Sequence, residues 1–506
     1  MSLFRRKPLD ALIAEGGDEE HGLRKALTWI DLTALGIGAI IGAGIFATLG
    51  SATAGGGGQP PAGPGVVVSI LLTAVACGFC ALCYAEFASL VPVAGSAYTY
   101  SYATLGELVA WIIGWDLILE YAVGNIAVAI SWAAYFRQLV AGFGLQIPPW
   151  LATDYRSTLF AAKAAAESGV ASLSPEAAIA YQAHLSHPTL AGIPVVFNLL
   201  AVAITAVITW ILVVGVKESA RFNNVVVVLK LATLLFFIAV GAFWVKPANW
   251  TPFFPGGFHG VWTGASLIFF AYIGFDAIST AAEECRDPGR DMPRGILASL
   301  GICTLLYVAA ALVLTGMIPY GKLVGVADPL AAAFAFVHQD WAAGLLAFGA
   351  VIALTSVLLV FQLGQPRILM AMSRDGLLSP WFAKIHPRFR TPHVTTILTG
   401  VFVAFFSAIA NIDEIVQLTN IGTLFAFILV SIGILVLRVR EPERPRKFRV
   451  PFSPVTPVLG ILMCLFLMQG LPGVTWIRFG LWLLVGLVLY FVYGMRQSRL
   501  SETRRR

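Results

Sequence analysis

The chain has 506 residues, of which 58% are hydrophobic and only 12% charged, with a formal net charge of +6. A soluble protein carries about 25% charged residues, so soluble, disordered and collagen-like classes are excluded. Six cysteines over this length exclude a disulfide framework. What remains is a polytopic membrane protein, and its Lys and Arg residues are read for topology rather than as a nucleic-acid footprint.

A helix that crosses a bilayer needs about 20 mostly apolar residues. Twelve such runs follow one another, at 31–52, 65–91, 107–141, 193–215, 222–245, 261–283, 295–317, 341–371, 393–411, 414–437, 454–471 and 474–494. The third and eighth are long enough to tilt or protrude. A barrel would show strands of alternating polarity, so the expected class is an all-α integral membrane protein with twelve spans.

With the N-terminus inside, the inner segments hold 26 of the 33 Lys and Arg residues and the outer segments six. That bias predicts both termini in the cytoplasm and a cell-membrane location. The first 30 residues lack an uninterrupted apolar core, so no cleaved signal peptide is expected. The longest outer connection, about 143–192, is rich in Ala and Ser and predicts one or two short helices outside the membrane. It carries no Cys, so no disulfide-linked subunit is expected. Cys77, Cys80 and Cys83 form a C-x-x-C-x-x-C in span 2 without an accompanying His, and are read as small residues at a helix interface.

Two spans are interrupted. Span 1 carries Gly36, Gly38, Gly42, Gly44 and Gly50, and span 6 carries Gly274 with Asp276 two residues later. Each glycine weakens a helix by roughly 0.5–1 kcal/mol relative to Ala. Spans 1 and 6 open two successive sets of five, and because five is odd the second set is inverted. Interrupted helices at matching positions of two inverted halves point to a substrate site at mid-membrane. Unwinding frees N–H groups at Gly42–Gly44 for a carboxylate and carbonyls near Phe270–Ile273 for an ammonium group. A zwitterion suits such a site.

Lys230 stands several residues into span 5, where a charge costs about 2.5–3.5 kcal/mol at mid-membrane. A lysine able to release its proton is a candidate coupling group; the alternative is a lysine that snorkels to the inner surface, nine residues from Arg221. On span 3, Asp116 and Glu120 lie four residues apart on one helix face, as candidate partners for this cation or as the lining of a solvated inner vestibule. Glu86, near the inner end of span 2, is read as interfacial.

Taken together, IGAIIGAGIF, PVAGSAYTYSYATLGE, FFAYIGFD, AAEECRDPGRDMPRGI, SRDGLLSP and FRVPFSPVTP resemble the amino acid–polyamine–organocation transporters. Specifically, they resemble bacterial homologues of the cationic amino acid transporter branch. The resemblance runs from Leu23 to the last span and implies a LeuT-like fold with a 5+5 inverted repeat and two additional C-terminal helices. The corresponding divisions are a cytoplasmic segment at 1–30, repeats at 31–245 and 261–437, helices 11 and 12 at 454–494, and a basic tail at 495–506.

The resemblance also implies secondary transport of amino acids by alternating access, not enzymatic activity. The implied substrate site comprises Ile40, Gly42, Ala43, Gly44 and Ile45 on helix 1, Phe270, Ala271, Ile273 and Asp276 on helix 6, and Phe361 on helix 8. Ala43 stands where many relatives carry Thr or Ser. Phe361, bulky and apolar, favours small neutral substrates such as alanine over the cationic ones of the branch name. Lys230 would fill the place of a sodium ion, which implies proton coupling with Glu120 as its network partner, no sodium and no other cofactor. The expected partners are the amino acid and the lipid bilayer, with room for a small accessory membrane peptide. A gradient-independent exchanger and a transporter-like sensor are the alternative readings.

Overall fold

The computed structural model describes residues 5–7, 27–55, 59–90, 96–170, 173–215 and 220–502. Arg24, Lys25, Lys217 and Arg504–Arg506, counted above for topology, lie outside them. Among the described residues, nine helical stretches are long and apolar enough to cross a membrane. Three shorter apolar helices, Leu199–Val214, His393–Ile409 and Val455–Gln469, fall where spans 4, 9 and 11 are expected.

The interior is built by the helices that carry the interruptions. Helix α1 (Trp29–Ile40) starts at Thr28, whose hydroxyl and backbone N–H both donate to Asp31, at 2.7 and 2.9 Å. This side-chain capping offsets the free donors of the first turn. After the break the chain resumes as a wide turn, Gly44–Thr48, and as α2 (Leu49–Ala54). Next come α3 (Val66–Leu90), α4 (Ser96–Thr104), α5 (Glu107–Ile118) and α6 (Gly124–Ala141). The long apolar run 107–141 thus divides at a π-turn, Leu119–Val123, which holds Glu120.

The long connection folds into a helical hairpin, α7 (Tyr155–Ser168) and α8 (Pro175–Ser186), followed by the two-residue ladder of β1 (Thr189–Leu190) and β2 (Ile193–Pro194). Each hairpin helix has a side-chain cap, Asp154 on α7 and Ser174 on α8. The remaining main helices are α9 (Leu199–Val214), α10 (Ala220–Gly241), α11 (Gly257–Ile268), α12 (Pro288–Met317), α13 (Pro329–Phe336), α14 (Asp340–Arg374), α15 (His393–Ile409), α16 (Ile412–Arg440), α17 (Val455–Gln469) and α18 (Gly473–Leu489).

Helix α12 packs along α1 and α3, and α14 packs along α6, so the broken segments are enclosed by long unbroken helices. Large apolar side chains such as Trp210, Leu305 and Val401 are exposed around the outside. An apolar exterior around a core that holds buried charges is the pattern a bilayer-embedded bundle requires. Both described ends meet at one face: Glu107 donates its backbone N–H to the Arg5 carbonyl at 2.7 Å, and its carboxylate accepts from the Ser498 hydroxyl at 2.5 Å. The α7–α8 hairpin follows the far end of α6 and therefore lies at the opposite face, called here the hairpin face.

Candidate functional site

The two interruptions meet. Helix α1 ends at Ile40, and Ile41 adopts an extended conformation. In span 6, α11 gives way to a 3-10 turn at Phe269–Tyr272, then to extended Ile273 and to Gly274 at φ +117°. A Cβ on Gly44 would lie 2.1 Å from Cα of Ala271, and one on Gly274 would lie 2.8 Å from the Ala39 carbonyl oxygen. The glycines therefore allow the two backbones to touch, and at Gly274 they also allow the positive φ.

Breaking a helix leaves its last carbonyls and its first N–H groups without intrahelical partners. Two side chains take up carbonyls on the α1 side. Lys230 on α10 donates to the Gly38 oxygen at 2.7 Å. Tyr307 on α12 sets its hydroxyl 2.9 Å from the Ile40 oxygen and 3.0 Å from the Ala271 oxygen. One hydroxyl proton serves two carbonyls there, so the Tyr307 oxygen joins the ends of both broken helices. Beyond the break, Tyr135 on α6 donates to the Phe46 carbonyl at 2.6 Å. At the start of the helical turn after Gly274, the Asp276 carboxylate accepts from the Gly274 N–H at 3.3 Å.

The charged residues divide into separate places. Lys230 is 1% exposed, and its one hydrogen-bond partner among the described residues is the Gly38 carbonyl. The cation at the C-terminal end of α1 is well placed against the helix dipole. Glu120 is not among the hydrogen-bond partners of Lys230; its buried carboxyl group lies beside that of Asp276, close to Thr423. Asp116 is also buried, and neither of its oxygens has a hydrogen-bond partner among the described residues. The carboxyl on span 3 thus lies near a carboxyl on span 6, and the lysine meets backbone.

Of the expected substrate contacts, Gly44 and Ala271 touch, Ile40 and Ala271 share Tyr307, and Gly42 faces Val357 on α14. Ala43, Ile45, Phe270 and Ile273 are all buried in the same region. Phe361, one turn beyond Val357, packs edge-on against Tyr121 with ring centroids 5.7 Å apart. Tyr307, Tyr135 and Val357 escaped the sequence reading. A tyrosine inside an apolar run was the available signal for the first two, since a buried hydroxyl needs a partner.

Broken helices packed at the centre of a multi-pass helical bundle, with backbone groups freed beside buried ionisable side chains, define a membrane transporter. Comparison with known proteins gives the family. The profile of the family described as Amino acid permease matches residues 27–493. Over 501 residues, 99% of this chain, a Bacillus subtilis protein named methylthioribose transporter is 46% identical along its whole length. A branched-chain amino acid permease of the same organism is 45% identical over 99% of both chains. An Arabidopsis thaliana vacuolar cationic amino acid transporter is 37% identical over 87% of this chain and 64% of its own. The chain belongs to the amino acid permease family of the APC superfamily, and it is a transporter rather than an enzyme.

Proposed function

We propose that the protein is a secondary active importer of neutral amino acids, driven by protons and working by alternating access. The reading takes the nine long and three shorter apolar helices as twelve spans, with spans 1–5 and 6–10 as inverted halves and both termini in the cytoplasm. The observation that carries it is the contact of the two broken helices at Gly44 and Ala271. The α-carboxylate would take the N–H groups of Gly42, Ala43 and Gly44, and the ammonium group would take carbonyls of Phe270, Ala271 and Ile273.

Two features support proton coupling. Lys230 donates to helix α1 at the edge of the break, where an ion would otherwise compensate the carbonyl dipoles. The neighbouring buried carboxyl groups of Glu120 and Asp276 supply a second candidate proton carrier. Proton, not sodium, is the proposed coupling ion. The side chains of Val357, Phe361 and Tyr121 are uncharged and favour an aliphatic substrate side chain, in keeping with the relative named for branched-chain amino acids. The relative named for methylthioribose supports a second substrate reading.

The test is uptake into proteoliposomes of labelled alanine, leucine, arginine and methylthioribose, with and without an inward proton gradient. Accumulation of leucine or alanine only with the gradient is the expected result. Gradient-independent exchange would remove the coupling role, and preference for methylthioribose would replace the substrate. Phe361→Ala should admit arginine as a competitor at least about tenfold more effectively; an unchanged competition profile would move the side-chain pocket away from Phe361.

A further inference from the structure

A cavity lies at the hairpin face, away from the broken helices. The end of α6, the segment 145–152, helix α8 and the connection 318–336 enclose about 550 Å³. That is the size range of small-molecule sites, which join apolar walls to a few convergent polar groups. Arg137 reaches in from α6 and is ion-paired with Glu176 of α8. Asp328, 4% exposed, stands at the start of α13. Burial and the nearby Glu176 push its carboxyl group up to about 7, against the opposing pull of Arg137. Lys322 is exposed at the rim and makes no ion pair among the described residues. Gln138 and Gln146 also line the space.

The walls therefore carry two cations and two anions, with spare donors on one side and a poorly solvated carboxyl group on the other. A ligand that bears both charges and is neutral overall matches them. The cavity is also mechanically connected to the broken helices. The Ala327 carbonyl accepts from Ser131 of α6 at 3.2 Å, and Pro329 packs on Gly50 of α2, where a Cβ would lie 2.9 Å away. Whatever fills the cavity bears on the half of span 1 that follows the break.

We propose that this cavity is a second amino-acid site, separate from the one between the broken helices. Lys322, Gln138 and Gln146 take the α-carboxylate, Asp328 with Glu176 takes the α-ammonium group, and Ile179, Ile318 and Phe336 cover the side chain. Occupancy holds the connection 318–336 against the hairpin and so biases span 1. The inference rests on the amino-acid reading of the central site, and the test separates the two.

Equilibrium dialysis of the purified full chain in detergent, with whichever of alanine, leucine or arginine binds most tightly, reads the number of sites. Two sites per chain are expected. Lys322→Glu, at an exposed position, and Asp328→Asn, of the same shape, should each weaken one site at least tenfold and leave the other within about twofold. One site in the wild type, insensitive to both substitutions, would overturn the second site and leave the central one intact. Absence of saturable binding for all three amino acids would overturn the amino-acid reading and the second site together.

Discussion

Lys230 and Glu86 are both ions sealed inside the bundle, at 1% and 0% exposure, yet their surroundings are opposite. Glu86, on α3, is caged. Arg438 reaches it with two nitrogens, at 3.1 and 2.5 Å, the Val450 N–H donates to it at 2.7 Å, and Arg446 stands 3.2 Å away. Lys230 meets one backbone carbonyl. A buried charge with ion partners and hydrogen bonds around it is compensated and serves to hold elements together, here α3, α16 and the 440–454 connection. A buried charge with a single neutral partner is tolerated for what it does. Under the proposed proton coupling, the contrast separates a staple from a working group, although both stand out equally as ionisable residues in apolar runs.

The largest effect is expected at the staple. Glu86→Gln leaves Arg446, whose side chain is 4% exposed, and Arg438 without a counter-charge. Removal of one member of a buried ion pair costs about 3–5 kcal/mol, so the melting midpoint in detergent and the folded yield should both fall sharply. A midpoint within a degree or two of the wild type would mean that the cage holds nothing. Lys230→Met should do the reverse. The lost charge-assisted hydrogen bond to Gly38 is worth about 1.5–3 kcal/mol, and removal of an isolated buried charge offsets it. The midpoint should stay near that of the wild type and substrate counterflow should persist, while uptake driven by a proton gradient drops at least about tenfold. Gradient-driven uptake at the wild-type rate would sink the coupling role.

These two residues also mark how far the sequence could be read. The breaks were legible, because dense glycine inside an apolar run is a backbone statement that holds whatever surrounds it. That Lys230 would be buried was legible too, since a lone cation amid VVVVLKLATLL has little else to do. Its partner was not. Nothing local distinguishes a lysine that reaches a carboxylate from one that reaches a carbonyl on another span, and the Gly38 oxygen is 192 residues away. The same limit sent Glu86 to the interface, when its partners Arg438 and Val450 stand 352 and 364 residues along the chain and close it in. It also hid the meeting of Glu120 with Asp276. The π-turn that presents Glu120 has no compositional signature at all, since it is one extra residue in a helical turn. Backbone features were read; side-chain partners needed the fold.

A third buried charge, outside the spans, sharpens the contrast by a smaller effect. Asp154 caps α7 and is 5% exposed; it accepts from the Ser157 N–H and hydroxyl, both at 2.7 Å. Burial pushes its carboxyl group from the usual 3.8 up to about 7, and the hydrogen bonds from Ser157 only partly oppose this. It is neither caged by cations, as Glu86 is, nor left to one carbonyl, as Lys230 is. Because the folded value lies above the unfolded one, the folded hairpin holds a proton that the opened hairpin releases between about pH 4 and 7. The stability this contributes is complete below pH 4 and is lost as pH rises through 7. Amide exchange across Tyr155–Ser168 should therefore quicken from pH 5 to pH 8 by more than the intrinsic chemistry of exchange accounts for. In Asp154→Asn, which keeps a capping oxygen, that extra acceleration should vanish. An excess acceleration that survives the substitution would assign the pH response to another group, with Glu414 the first to examine because its charge also acts on Asp154.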